Sequence, residues 1–251
     1  MKMPIVISLL LLITRPGFSQ RDQKQHAIEE LQKLTSLYKN TNRLSFDVTY
    51  RYAAEENADA WLDSLSGHCR LSGARYWYDV NNMESIRTDQ YVILLFKEDQ
   101  VMYLARPKGA LEDDAGAAMA NPAAQLEAFL KKDSTIICEV SHDKAHKKIT
   151  INFSEPGVYK RIEYYTNRKT GYLEKMKSWV RTDQLYDASV QHLVEANNNY
   201  AIVEAVYTNY KLGAFEENFF STENYFRKDG DEYVTVAPYQ TYKIFQGTPN
   251  L

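Results

Sequence analysis

The chain is poor in the residues on which most cofactor and catalytic chemistry rests. It has two cysteines and five histidines in 251 residues, too few for a thiolate metal cage or for a framework of several disulfides. His142 and His146 stand four apart, but that spacing serves a metal only when both lie on one helix face, and these two flank a turn between strands. Glycine is equally sparse. The stretch from Gly109 to Gly116 lacks both the spacing of a phosphate loop and its lysine-serine end. There is no G-x-S-x-G, so Ser66 and Ser72, each beside a glycine, read as turn residues and not as activated nucleophiles. Adjacent acids at Glu55-Glu56, Glu112-Asp113-Asp114 and Glu216-Glu217 fall in polar loops and read as solvated faces, not as an acid-base pair. No catalytic residue, metal ligand or cofactor is assigned on these grounds, and the expectation is a protein that is not an enzyme.

Basic residues are not in excess either: 30 Lys and Arg stand against 33 Asp and Glu, a formal charge of −3. Phosphate-backbone binding needs a basic stripe, so nucleic acid is excluded as a partner. Long apolar runs are missing too. The longest, Pro4 to Ile13, covers about half of the roughly 20 residues a spanning helix requires. It follows Lys2 and precedes Arg15-Pro16-Gly17-Phe18-Ser19-Gln20, which is the charged, apolar and small-residue order of a secretory signal peptide. Cleavage is expected after Ser19, with Gln20 as the competing position, so residues 1–19 are read as signal peptide and the chain as periplasmic or otherwise exported and soluble. The first cysteine after the apolar run is Cys69, which removes the lipid-anchored reading. In an oxidising compartment Cys69 and Cys138 could pair. Each also falls on the apolar phase of its strand, as a buried free thiol would, and the unpaired reading is favoured.

What is present is periodicity. Ala27, Ile28, Leu31, Leu34 and Tyr38 recur at helical spacing and predict an amphipathic helix over 22–39. The period then changes to two: Leu44, Phe46, Val48, Tyr50 and Tyr52 alternate with Ser45, Asp47, Thr49 and Arg51. Strand-like runs follow at 65–71, 75–80, 83–88, 91–96, 100–105, 135–141, 147–153, 160–166, 172–181, 200–211, 233–237 and 239–245, separated by turn signals such as Ser72-Gly73, Asn81-Asn82 and Asp229-Gly230. Short strands joined by tight turns predict antiparallel pairing. One interruption, Arg106 to Asn121, is rich in Ala, Gly and Asp. Asn121-Pro122 then caps a short predicted helix over 122–132 that carries Ala123, Leu126, Phe129 and Leu130 on one side. Residues 184–196 fit a helix or a hairpin equally.

This order of elements, with "RLSFDVTYRYAAEENADAWLDSLSGHCRLSGARYWYDV" after the first helix and "RIEYYTNRKTGYLEKMKSWV" later, resembles the periplasmic outer-membrane lipoprotein carriers (LolA/LolB-like proteins). The resemblance runs from about Asp22 to Val180. It implies an α+β, mainly antiparallel fold: a strongly curved, unclosed-barrel sheet whose concave face is covered by the N-terminal helix and the short helix. It also implies an apolar cavity suited to acyl chains. The chain departs from the family in a C-terminal addition over about 212–251, and residues 20–251 are read as a single domain carrying that extension. The expected function is a non-catalytic carrier or binding module for a lipid or lipoprotein acyl chain, touching the membrane at most peripherally. Its expected cavity or lid residues are Leu44, Phe46, Val48, Tyr50, Leu126, Phe129 and Leu130, with 106–132 as the lid. The alternative is an envelope structural or assembly protein that binds another protein through its sheet face and its Phe/Tyr-rich extension, and a fully packed core would favour it.

Overall fold

The computed structural model describes residues 20–107, 123, 126, 130, 131, 135–155, 157–185 and 200–248. The expected signal peptide, Phe129, most of 106–132 and the stretch after Leu185 lie outside them.

Helix α1 (Gln20–Asn40) buries Ala27, Ile28, Leu31, Leu34 and Tyr38 along one stripe, as the spacing requires. Ten strands follow in the order expected: β1 (Leu44–Ala54), β2 (Asp63–Ser72), β3 (Arg75–Val80), β4 (Met83–Arg87), β5 (Val92–Phe96), β6 (Val101–Ala105), β7 (Ile137–His142), β8 (His146–Asn152), β9 (Tyr159–Asn167) and β10 (Leu173–Arg181). β11 (Tyr200–Leu212), β12 (Phe226–Asp229), β13 (Glu232–Thr235) and β14 (Lys243–Gln246) complete the described strands. Gly73 and Gly230 take φ near +62° at their turns, where a side chain would be strained.

Twelve strands form one sheet in the order β14-β6-β5-β4-β3-β2-β1-β11-β10-β9-β8-β7, while β12 and β13 pair apart from it. The sheet does not close, so the fold is the curved, mainly antiparallel α+β arrangement expected. Two meanders, β1 to β6 and β7 to β11, meet where β11 pairs with β1 from Leu44↔Leu212 to Ala54↔Ala201. Two expectations need correction. Of the expected strand 239–245 only 243–245 is extended, continuing to Gln246, and β14 joins β6 in parallel, because the chain reaches that edge from β13 across residues 236–242 and not by a hairpin from β6. The four-residue β12 had not been expected at all.

An open sheet leaves edges that must be blunted. At the β7 edge the backbone N–H of Val140 donates to Gln23 Oε1 at 3.1 Å, and Gln20 Nε2 donates to the Cys138 carbonyl at 3.3 Å. The first turn of α1 thus covers backbone groups that another strand could otherwise pair.

Cross-strand partners share a face, which divides the core in two. On the α1 side, Leu44, Phe46 and Val48 pack with Cys69, Tyr76, Tyr78, Ile149, Ile151, Tyr164 and Tyr207 beneath Leu31, Leu34 and Tyr38. Ala123, Leu126 and Leu130 are helical and buried in the same cluster. The opposite face of β3 to β6 carries a second core: Ile86, Ile93, Leu95, Met102 and Leu104 are covered by Phe215, Phe220, Tyr225 and Phe226. The C-terminal stretch therefore joins the sheet at its edge through β14 and also covers its back.

Candidate functional site

The centre of the concave face is packed among the described residues. Leu44, Phe46 and Val48 are buried against α1, and the Tyr38 and Tyr210 hydroxyls meet at 2.5 Å where the helix ends. Tyr172 stacks on Tyr210 with ring centroids 4.6 Å apart. Free space begins further along β1, where Tyr50 stands half-buried. There a groove of about 430 Å³ is lined by Tyr50, Tyr52, Leu62, Leu65, Leu185, Ala201 and Val203, among others. A second groove of about 540 Å³ shares Tyr50 and Leu65 with it and continues past Val80, Met83 and Phe96 to Asn82 and Glu98.

Register explains why these residues meet. Tyr50 pairs with Leu65 on one side and Ala205 on the other, and Tyr52 pairs with Asp63 and Val203. Val80 pairs with Gly67 and Met83, and Met83 with Phe96. The same phase that buries Leu44, Phe46 and Val48 therefore carries the apolar face on to Tyr50 and the grooves, whose described lining includes no α1 side chain. Of the residues singled out from the sequence, Tyr50 lines both grooves. Leu44, Phe46 and Val48 form the packed floor behind it, Leu126 and Leu130 lie in the core under the helical stretch, and Phe129 is outside the described residues. Leu62, Leu65, Ala201 and Val203 were not singled out. Leu65 was within reach, since it shares the alternation of Cys69 and Leu71.

The reverse side of the same strands is a polar face with fixed charges. Arg51, Glu204, Lys177 and Glu163 are successive cross-strand partners. Glu204 accepts from Arg51 Nε at 2.7 Å and lies 3.1 Å from Lys177 Nζ. Glu163 lies 2.9 Å from Lys148 Nζ, pairs with Arg161 and accepts from the Tyr165 hydroxyl at 2.5 Å. Burial alone would raise both carboxyls. The donors and cations around them outweigh it and hold each below the usual carboxylate range. Glu84, beneath the C-terminal stretch, goes the other way: its burial raises it, and the bond from Trp77 Nε1 at 2.6 Å offsets this only in part.

Cys69 and Cys138 are both free and buried. Burial raises the Cys69 thiol far above its ordinary value and Cys138 to about 11. Among the described residues no group of three or more His, Cys, Asp and Glu could hold a metal, and no helix is long and apolar enough to cross a membrane. The turn between β7 and β8 does carry His142 and His146 at its two ends. His146 Nε2 lies 2.8 Å from Glu174, an ordinary surface pair.

Neither a protein-family model nor a curated protein matches the chain. Among solved structures it is similar to a LolA superfamily protein from Nitrosomonas europaea at 12% identity, over 78% of this chain and 97% of that one, with a TM-score of 0.35. An uncharacterized conserved protein from Thermus thermophilus is similar at 7% identity over 88% of this chain and 98% of that one, with a TM-score of 0.44. The MucA/MucB complex of Pseudomonas aeruginosa matches at 13% identity over 84% of this chain and 63% of that one, with a TM-score of 0.42. At such identities the likeness concerns the fold alone.

Proposed function

We propose that this protein is a non-catalytic binding module that takes an acyl chain of a lipid or lipoprotein into the groove at the open end of its concave face. The observation that supports the reading is the run of apolar side chains from Val203 and Leu185 through Tyr50 and Leu65 to Val80, Met83 and Phe96, beyond which Asn82, Lys97, Glu98 and Asp99 form a polar end. Ligand sites are concave, mostly apolar spaces of roughly 300–1,000 Å³ with few polar groups, and each groove is of that size. An alkyl chain asks only for apolar walls, so this lining suits it without any catalytic group. The exported location and the single domain with an extension belong to the same reading.

Titration with a fluorescent fatty acid tests it. Leu65→Asp places a charge at the junction of the two grooves on a residue exposed enough to tolerate it, and binding should weaken at least tenfold, since an unpaired charge is costly against an alkyl chain. Unchanged binding would remove the groove as the site.

The packed centre of the concave face also suits the rival reading, an envelope assembly protein. That reading relied on the aromatic residues of the extension to bind a partner, yet Phe215, Phe220, Tyr225 and Phe226 are spent on the chain's own sheet. The acyl-binding reading is preferred for that reason.

A further inference from the structure

Large apolar side chains stand exposed around the mouth of the groove, on segments that precede or follow strands. Leu62, before β2, is 65% exposed and Leu185, after β10, is 41% exposed. Both line the groove. Val158 and Tyr159, at the start of β9, are 43% and 40% exposed and lie outside its lining. They adjoin it nonetheless. Arg181 N–H donates to the Val158 carbonyl at 2.9 Å, and Lys160 reaches Glu55, just past the end of β1, at 2.7 Å. The four side chains thus belong to one rim.

The cations of this rim are paired, while Asp63 of the groove lining and Glu56 and Asp59 in the stretch before it are exposed acids with no ion pair among the described residues. Arg51 bonds Glu204 and lies 4.0 Å over the Trp61 ring. Lys160 bonds Glu55 and lies 5.5 Å over Tyr200, and Arg181 bonds Asp183 at 2.7 Å. Exposed apolar tips, indole and phenol rings and cations on long stems are what a bilayer interface accommodates: apolar groups enter the acyl boundary while aromatic and cationic side chains stay at headgroup level. The unpaired charge that remains is acidic, which disfavours an anionic surface and leaves the apolar tips as the attraction for a neutral or zwitterionic one.

We propose that this rim docks on the surface of a lipid bilayer, recognising uncharged or zwitterionic headgroups through its apolar tips. The inference rests on the acyl-binding reading, because docking here brings the groove mouth to the membrane from which a chain would enter. Monomer and bilayer binding are nevertheless separable, since Val158 and Tyr159 do not line the groove.

The test is co-sedimentation of the protein with phosphatidylcholine vesicles, alongside fatty-acid binding in solution without vesicles. Wild type should bind the vesicles, with little change between low and high salt. Val158→Ser combined with Tyr159→Ser should weaken vesicle binding by tenfold or more, given the transfer free energy of two partly inserted side chains, and should leave fatty-acid binding intact. Leu62→Ser should weaken the vesicle binding too. Leu212→Ser is the control: Leu212 is 68% exposed but pairs with Leu44 at the opposite end of β1, so its loss should change nothing. The proposal is overturned if wild type ignores the vesicles, if binding needs anionic lipid and vanishes in salt, or if Leu212→Ser costs as much as the rim variants. It is also overturned if the rim variants instead turn a dimer into a monomer in sedimentation, which would make a second copy the occupant. Vesicle binding without any fatty-acid binding would sink the acyl-carrier reading and leave the docking surface standing.

Discussion

Gly67 of β2 lies against its cross-strand partner Val80 so closely that a β-carbon would stand 2.6 Å from the Asp79 carbonyl oxygen and nearer still to the valine Cγ2. The carbonyl belongs to the β2–β3 ladder and cannot swing aside. Gly67→Ala should therefore destabilise the fold by about 1–3 kcal/mol, as overpacking does. Denaturant unfolding measures it, with an unchanged m-value expected. Val80 lines the second groove, so the same variant should also disturb acyl binding.

The cross-strand row through Arg51, Glu204, Lys177 and Glu163 should set the acid limit of stability. Both carboxyls sit below their unfolded values, so their contribution is complete above the unfolded glutamate value of about 4.3. It is lost as pH falls through that value toward the lower folded ones. Glu204→Ala leaves Arg51 and Lys177 without their shared acceptor on a residue only 2% exposed. A loss of roughly 1–3 kcal/mol at neutral pH is expected, shrinking as the wild-type carboxyl is itself protonated. Thermal melts of both proteins from pH 3 to 7 give the comparison, and parallel curves would show that Glu204 is not the titrating group.

Glu84 carries the opposite sign. Its folded value is raised, so the folded state holds the proton more tightly than the unfolded chain. The stability this provides is full below about 4.3 and is lost as pH rises through the folded value. Glu84→Gln keeps an acceptor for the Trp77 indole and removes the buried charge. The variant should melt higher than wild type at pH 8 and show no advantage at pH 4. A lower melting temperature at pH 8 would mean that the ionised carboxylate is held favourably after all.

Both thiols should be silent in the folded protein and free in the unfolded one. Burial disfavours the thiolate at Cys69 and Cys138, and the thiolate is the reacting species. Labelling the native protein near pH 8 should be slow, and labelling the denatured, unreduced protein should find both. Finding neither after denaturation would establish a disulfide.

Legibility in the sequence followed locality. α1 and β1 to β11 were readable within a few residues, because each carries its own period and most end in Gly, Asn or Asp turns. β12, Phe226-Arg227-Lys228-Asp229, has one buried apolar residue and is a strand by virtue of its partner β13. β14 depends on a parallel neighbour far away in sequence. Val92-Ile93-Leu94-Leu95-Phe96 is apolar at every position, yet only Ile93 and Leu95 are fully buried, in the second core, which the reading of the sequence did not anticipate. The alternation of Leu44, Phe46, Val48 and Tyr50 put them on one face of β1, the first three buried and Tyr50 half-buried. It could not tell where along that face packed floor gives way to open groove.

The C-terminal stretch should prove to be part of the folding unit. Its Phe215, Phe220, Tyr225 and Phe226 cover Ile86, Ile93, Leu95, Met102 and Leu104 on β4 to β6, all five fully buried. Removing residues 213–251 would open an apolar patch across three strands and also free the β6 edge that β14 pairs. Burying a side chain of this size contributes about 1.5–3 kcal/mol, so uncovering five exceeds the 5–15 kcal/mol margin of a typical fold at the low end and rivals it elsewhere. An exposed apolar edge strand is in addition an aggregation template. The truncated protein should therefore be insoluble, or bind a hydrophobic dye strongly and lose its cooperative melt. A soluble truncation with a sharp transition and undiminished fatty-acid binding would make residues 213–251 an appendage, and the domain would end at β11.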